Sequence, residues 1–162
     1  LHQLANFDQM VEKFDTIRQA TKNENFVAIS RLEGLITGMS PEEVSDRAIN
    51  IIGAGANGVM VHTKDKSSEK VKTCFSLIKK EIPDALLMIV PQNIMDISIA
   101  KWFEESVSII VYPNQMLRAS ITGQKKCLER MGLGPVLKEV VEGLIPISDL
   151  INIETNFTSM KL

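Results

Sequence analysis

At 162 residues, 44% hydrophobic and 23% charged, the chain has the composition of about one globular domain. Eighteen Lys and Arg against twenty Asp and Glu leave a formal charge of −2 with no basic run, which argues against nucleic acid and anionic membrane surfaces as partners. The longest apolar run, Ala85 to Val90, is far short of a membrane span. Cys74 and Cys127 form no CxxC and the histidines are only His2 and His62, so neither zinc nor a disulfide framework is suggested and a reducing, cytoplasmic compartment is expected.

The chain begins at Leu1 with neither Met nor a signal-type segment, as expected of a fragment or a processed piece. Asn6, with Gln9 three residues on, opens a helix whose Phe7, Val11, Phe14 and Ile17 recur at helical spacing. After the polar break Lys22-Asn23-Glu24-Asn25, the apolar run Phe26-Val27-Ala28-Ile29 reads as a buried strand over 26–31, delivering Arg31 and Glu33 where it ends. Ser40-Pro41-Glu42-Glu43 is a helix start with a capping serine, a proline at the first helical position and a glutamate at the third. Val44, Ala48, Ile51 and Ile52 form that helix's apolar stripe, and Gly53 and Gly55 end it.

Gly58 to Val61 is the second strand, running into His62-Thr63-Lys64. A helix over about Ser67 to Lys80 buries Val71, Phe75 and Ile78 before Pro83-Asp84 turns the chain. Leu86 to Val90 is the third strand, ending in Pro91-Gln92-Asn93, and Ile99, Phe103 and Val107 mark the helix after it. Ser108 to Val111 is the fourth strand, ending in Tyr112-Pro113-Asn114. Leu117, Ile121 and Leu128 carry the following helix to its stop at Gly132-Leu133-Gly134, and a last helical stretch runs from Val136 to Gly143. No linker or domain boundary interrupts residues 1–162, which read as a single partial domain.

Four consecutive βα units preceded by a helix make an α/β protein with a parallel sheet, either a small open sheet or half of an eightfold barrel. Every strand ends in polar residues, and in such folds that end is where ligands bind. Arg31 offers a planar fork of donors for carboxylate or phosphate, and the imidazole of His62 can donate to anions. Glu33 either orients Arg31 or forms an inert pair with it. Lys64 adds charge or is simply solvated. Asn114 either donates to an oxyanion or caps the helix that begins at Gln115, and Arg118, one turn into that helix, reads as structural. There is no nucleophile–base pair, HExxH or P-loop, so the residues alone support an anion site on an α/β scaffold.

Ile29-Ser30-Arg31-Leu32-Glu33-Gly34 resembles the ARxEA strand end of the phosphoenolpyruvate mutase/isocitrate lyase superfamily. Gly53-Ala54-Gly55-Ala56-Asn57-Gly58 is similar to its EAGADA turn, and Met60 to Lys64 to its MHSK. Val90-Pro91 resembles VPT, and Tyr112 to Ala119 resembles WANHNLRA. The order and spacing agree along essentially the whole chain. Lyases of the superfamily usually carry a glutamate-containing strand end where this chain has His62, so the resemblance is to the phosphoenolpyruvate mutase family, with phosphonopyruvate hydrolase or a C–C lyase as alternatives. A non-catalytic half-barrel binding an anion or a partner subunit is the alternative of another class.

The resemblance implies the C-terminal half of a (β/α)8 TIM barrel, whose Ile29, Val61, Ile89 and Ile110, or their alternate neighbours, face the barrel interior. It implies an enzyme interconverting phosphoenolpyruvate and phosphonopyruvate, a small anionic substrate, with Mg²⁺ holding the pyruvate enolate, and a homo-oligomer in the complete protein. Arg31 and His62 would be catalytic and bind the phosphoryl group, with Thr63, Glu33 and Asn114 as supporting polar groups. The metal ligands and the lid would belong to the first four strands, and no Asp-Asp or Asp-x-Asp cluster stands in for them. Gln92 stands where Thr is usual, Thr63 for Ser, Pro113 for Ala and Gln115 for His.

Overall fold

The computed structural model describes residues 3–22, 25–132, 134 and 137–152, so His2, Asn23, Glu24, Leu133 and Val136 of the sequence reading lie outside the described residues. Two compact units divide the chain, Leu1–Pro113 and Asn114–Leu162. The first opens with α1 (Phe7–Ala20), capped as its sequence predicts: Asp8 N–H donates to the Asn6 side chain and Asn6 N–H to Gln9 Oε1. Strands β1 (Ile29–Leu32), β2 (Gly58–Val61), β3 (Leu86–Ile89) and β4 (Ile109–Ile110) follow, joined by the one-turn α2 (Gly34–Thr37) and by α3 (Pro41–Gly53), α4 (Glu69–Glu81) and α5 (Ile99–Glu104). All neighbouring strands are parallel and their order is β1-β2-β3-β4, the sequential arrangement of a barrel segment, not that of a doubly wound sheet.

Ladder register divides the strand residues between two faces. Leu32, Val59, Val61, Leu87 and Ile89 join Val44, Ala48 and Ile51 of α3, Val71, Phe75 and Ile78 of α4 and Trp102 of α5 in one buried core. Burying each such side chain stabilises the fold by about 1.5–3 kcal/mol relative to leaving it exposed. Phe75 and Trp102 meet edge to face at 6.4 Å between ring centroids. Where α3 and α4 cross, the Ser45 hydroxyl donates to Pro41 C=O at 2.7 Å and also lies 3.3 Å from Cys74 C=O. On the other face Arg31 stands beside Met60 in register, and Met60 beside Met88. None of Ile29, Arg31, Met60 and Met88 belongs to that cluster, although Met60 is itself buried. The four apolar strand residues expected to face the interior therefore split: Ile29 lies on this second face, whereas Val61 and Ile89 pack under the helices and Ile110 against them.

Strand β1 and helix α5 differ from the sequence reading. Strand β1 begins at Ile29, not Phe26, because Ala28 N–H is taken by the Asn57 side chain at 2.8 Å before the ladder starts, and Phe26 and Val27 are exposed. The strand also runs one residue past the expected end at Arg31, to Leu32. In α5 the buried residue is Trp102, while Ile99 and Phe103 are exposed. Gly58 is required where it stands, since a Cβ there would lie 2.0 Å from the Leu86 carbonyl oxygen.

The second unit contains α6 (Gln115–Met131), α7 (Leu137–Val141) and a helical stretch over 147–152. No residue of α6 is buried, and Leu117, Ile121 and Leu128 are exposed. Among the described residues no helix is long and apolar enough to cross a membrane.

Candidate functional site

The ends of β1 and β2 are tied together. Leu32 pairs with Val61, and His62 N–H donates to Leu32 C=O at 3.0 Å. The next residues on each chain, Glu33 and His62, therefore face one another, and Arg31, two residues before Glu33, reaches both. Arg31 Nε donates to Glu33 Oε1, Arg31 Nη2 lies 2.7 Å from His62 Nδ1, and the same Nδ1 lies 2.8 Å from Glu33 Oε2.

One imidazole nitrogen cannot serve both neighbours. Carrying a proton, Nδ1 donates to Glu33 and has no lone pair to offer Arg31 Nη2. Lacking one, it accepts from Arg31 and sets a lone pair against the carboxylate. The Arg31 guanidinium stays charged in either state. The Glu33 carboxyl feels burial, which pushes its pKa up, but hydrogen bonds and charge from His62 and Arg31 outweigh that and hold it below its usual value, so it is ionised near neutrality. The Arg31 side chain remains 54% exposed. A surface ion pair of this kind contributes about 0–1 kcal/mol, too little to account for the cluster as a fold-stabilising device.

A cavity of about 140 Å³ adjoins Arg31 and Glu33 and is also lined by Arg47, whose Nη2 donates to Ala5 C=O at 2.6 Å. The sequence reading missed Arg47, which looks like any charged residue on an amphipathic helix. Wider depressions run along α1 and between α3 and α4, and their linings include none of the strand-end residues.

The remaining predicted residues are not part of this cluster of contacts. Thr63 is half-buried and its hydroxyl accepts from Asp65 N–H at 3.0 Å, closing a turn. Lys64 is exposed. Asn114 belongs to the second unit. The expected side-chain cap on α6 is absent: Asn114 Oδ1 is buried without a partner among the described residues, and Gln115 Oε1 instead accepts from Asn114 N–H at 3.2 Å.

The phosphoenolpyruvate phosphomutase family profile matches residues 1–131. The chain belongs to that family. It is 22% identical over 152 residues, 94% of its length, to the phosphonopyruvate hydrolase of Variovorax sp. (strain Pal2), and 23% identical over 129 residues, 80% of its length, to the phosphoenolpyruvate phosphomutase of Tetrahymena pyriformis. It covers 52% and 42% of those proteins, so it spans about half the length of the curated relatives it matches. Among solved structures it resembles the phosphoenolpyruvate phosphomutase of Streptomyces platensis subsp. rosaceus with a TM-score of 0.86 at 22% identity, covering 97% of this chain and 54% of that one. A phosphonopyruvate hydrolase complexed with oxalate and Mg²⁺ follows at 0.82 and 22%, with 96% and 54% covered. These likenesses show the fold, the C-terminal half of a (β/α)8 barrel. The family's named members are enzymes.

The Mg²⁺ that the family implies does not fit the donors present. Hard divalent cations take several oxygen ligands, and the described residues hold no group of three or more His, Cys, Asp or Glu able to supply them. Glu33, the carboxylate of the Arg31 cluster, already has both oxygens engaged by cations or donors.

Proposed function

We propose that Arg31 and His62, with Glu33 as a supporting polar group, bind the phosphoryl group of a phosphonopyruvate-like substrate, as half of the site of a phosphoenolpyruvate mutase-like isomerase. The observation that carries this reading is the shared Nδ1. When His62 holds its proton toward Glu33, Arg31 Nη2 is left without an acceptor, and an incoming anion supplies one. The phosphoryl group that moves between carbon and oxygen spreads its charge over three oxygens, which suits a guanidinium fork beside an imidazole. Thr63 is a supporting polar group in this reading, and metal-holding carboxylates must come from outside the described residues. A second reading, phosphonopyruvate hydrolysis, is favoured by the relative matched over 94% of the chain.

Calorimetric titration of the purified chain with phosphonopyruvate, with and without Mg²⁺, tests the binding claim. Arg31→Ala should weaken binding about a hundredfold, the ~3 kcal/mol expected of two lost charge-assisted bonds. His62→Ala should act in the same direction and less than additively, because both donors serve one group. Arg118→Ala should leave affinity unchanged. Equal affinity of Arg31→Ala and wild type would sink the reading. The ³¹P spectrum separates the chemistries: phosphoenolpyruvate marks a mutase, inorganic phosphate a hydrolase, and bound but unconverted substrate a half-site or a pure anion binder.

A further inference from the structure

The loop that carries His62 is held from the next βα unit, not from its own. Helix α4 has no side-chain cap of its own, and Ser68, which precedes it, is 2% exposed. The missing acceptor comes from Asp96, 28 residues further along the chain in the loop between β3 and α5. Ser68 N–H donates to Asp96 Oδ1 and Oδ2, both at 3.0 Å, and the Ser67 and Ser68 hydroxyls donate to Oδ2 at 3.1 and 3.2 Å. Beside them Met95 N–H donates to Lys66 C=O at 3.1 Å. A carboxylate at a helix N-terminus is favoured by the helix dipole as well as by the hydrogen bonds. The segment from His62 to Ser68 is thereby pinned at both ends, by the β1 ladder at His62 N–H and by Asp96 at Ser68.

We infer that Asp96 is a positioning residue for His62: it sets the path of residues 63–68 and so the angle at which the imidazole meets Arg31 and Glu33. Asp96 touches no part of that cluster, and its effect passes through the loop. The inference rests on the anion-site reading for its consequence but not for its geometry. Hydrogen bonds from the backbone of Ser68 and from the two serine hydroxyls hold the Asp96 carboxyl below its usual pKa despite some desolvation, so the pin is in its accepting form at neutral pH.

The test uses the whole chain and the His62 Cε1 proton in NMR, assigned by comparison with His2→Ala because the chain has two histidines. Asp96→Ala should move the His62 chemical shift and titration midpoint, speed amide exchange over residues 66–69, and weaken phosphonopyruvate binding about tenfold, since small misplacements of a binding group cost that much or more. Asp96→Asn keeps an acceptor oxygen for Ser68 N–H while removing the charge, and should leave His62 close to wild type. If Asn and Ala move His62 equally, the effect is the charge of Asp96 and the positioning role falls. If Ala speeds amide exchange and leaves His62 unmoved, Asp96 is only a helix cap and the inference is overturned. Should Asp96→Ala not fold, Ser67→Ala, which removes one hydroxyl from Oδ2, should move His62 in the direction that Ala would, by less, and an unmoved His62 there counts against the inference. A wild-type chain that does not bind phosphonopyruvate would remove the functional reading while leaving the His62 and exchange measurements decisive for Asp96.

Discussion

Helices α4 and α6 carry the same kind of pattern and meet opposite fates. In α4 the apolar positions Val71, Cys74, Phe75 and Ile78 are all buried against the sheet core. In α6 the corresponding stripe, Leu117, Ile121 and Leu128, is exposed, and no α6 residue is buried. Periodicity reports that a helix has an apolar face; it does not report what covers that face. The difference lies in neighbours. Helix α4 packs against α3 through small and polar contacts at Ser45 and Cys74, on strands whose alternate residues complete the core.

The largest expected effect follows from that contrast. Ile78→Ala should destabilise the chain by about 2–5 kcal/mol in urea unfolding, the range for deleting a large aliphatic side chain from a packed core. Leu128→Ala should stay within about 0.5 kcal/mol, as exposed substitutions do. A loss at Leu128 comparable to that at Ile78 would break the comparison, and sedimentation would then show whether a second copy covers α6 in solution.

The two cysteines sharpen the same contrast chemically, because Cys74 lies on α4 and Cys127 on α6. Burial pushes the Cys74 thiol up to about 11. Against an ordinary thiol that costs roughly two orders of magnitude of thiolate near pH 8, before access is counted. One thiol per chain should therefore react quickly with a colorimetric disulfide reagent, and peptide mapping should find the label on Cys127. Rapid labelling of Cys74 in the native chain would mean that α4 opens locally.

Much of this arrangement is legible in the residues and some of it is not. The parallel order and the meeting of Arg31, Glu33 and His62 follow from apolar runs that end in polar residues, because consecutive parallel strands place their ends side by side. The exact start of β1 is not legible: Phe26 and Val27 look like strand interior, and only the bond from Ala28 to the Asn57 side chain, 29 residues away, shows why the ladder starts later. Trp102 is buried where Ile99 and Phe103 suggest another stripe, since a six-residue helix is too short for periodicity to choose a face. Asp96 and Arg47 carry no local signal at all, because their partners are distant in sequence. Asn114 leaves α6 without a side-chain cap although its residue type is a preferred one, an outcome that residue preference alone does not reveal.

The smallest effect concerns the strand-end cluster itself, and its sign can be worked out. The Glu33 carboxyl has its pKa lowered in the fold from an ordinary 4.5, burial pulling the other way but being outweighed by His62 and Arg31. A group whose folded pKa is depressed adds stability that is present in full above its unfolded value and is lost as the pH falls through the folded one. Wild type should therefore exceed Glu33→Gln by less than about 1 kcal/mol at pH 7, as befits partly exposed ion pairs. That margin should begin to shrink below about pH 4.5 and vanish once the native carboxyl is protonated. Paired urea curves at several pH values isolate it, since the other carboxylates titrate alike in both proteins and cancel in the difference. A margin that persists unchanged into acid would show that Glu33 acts through packing or neutral hydrogen bonds, and the cluster would then hold its shape without the charge balance between Arg31, Glu33 and His62.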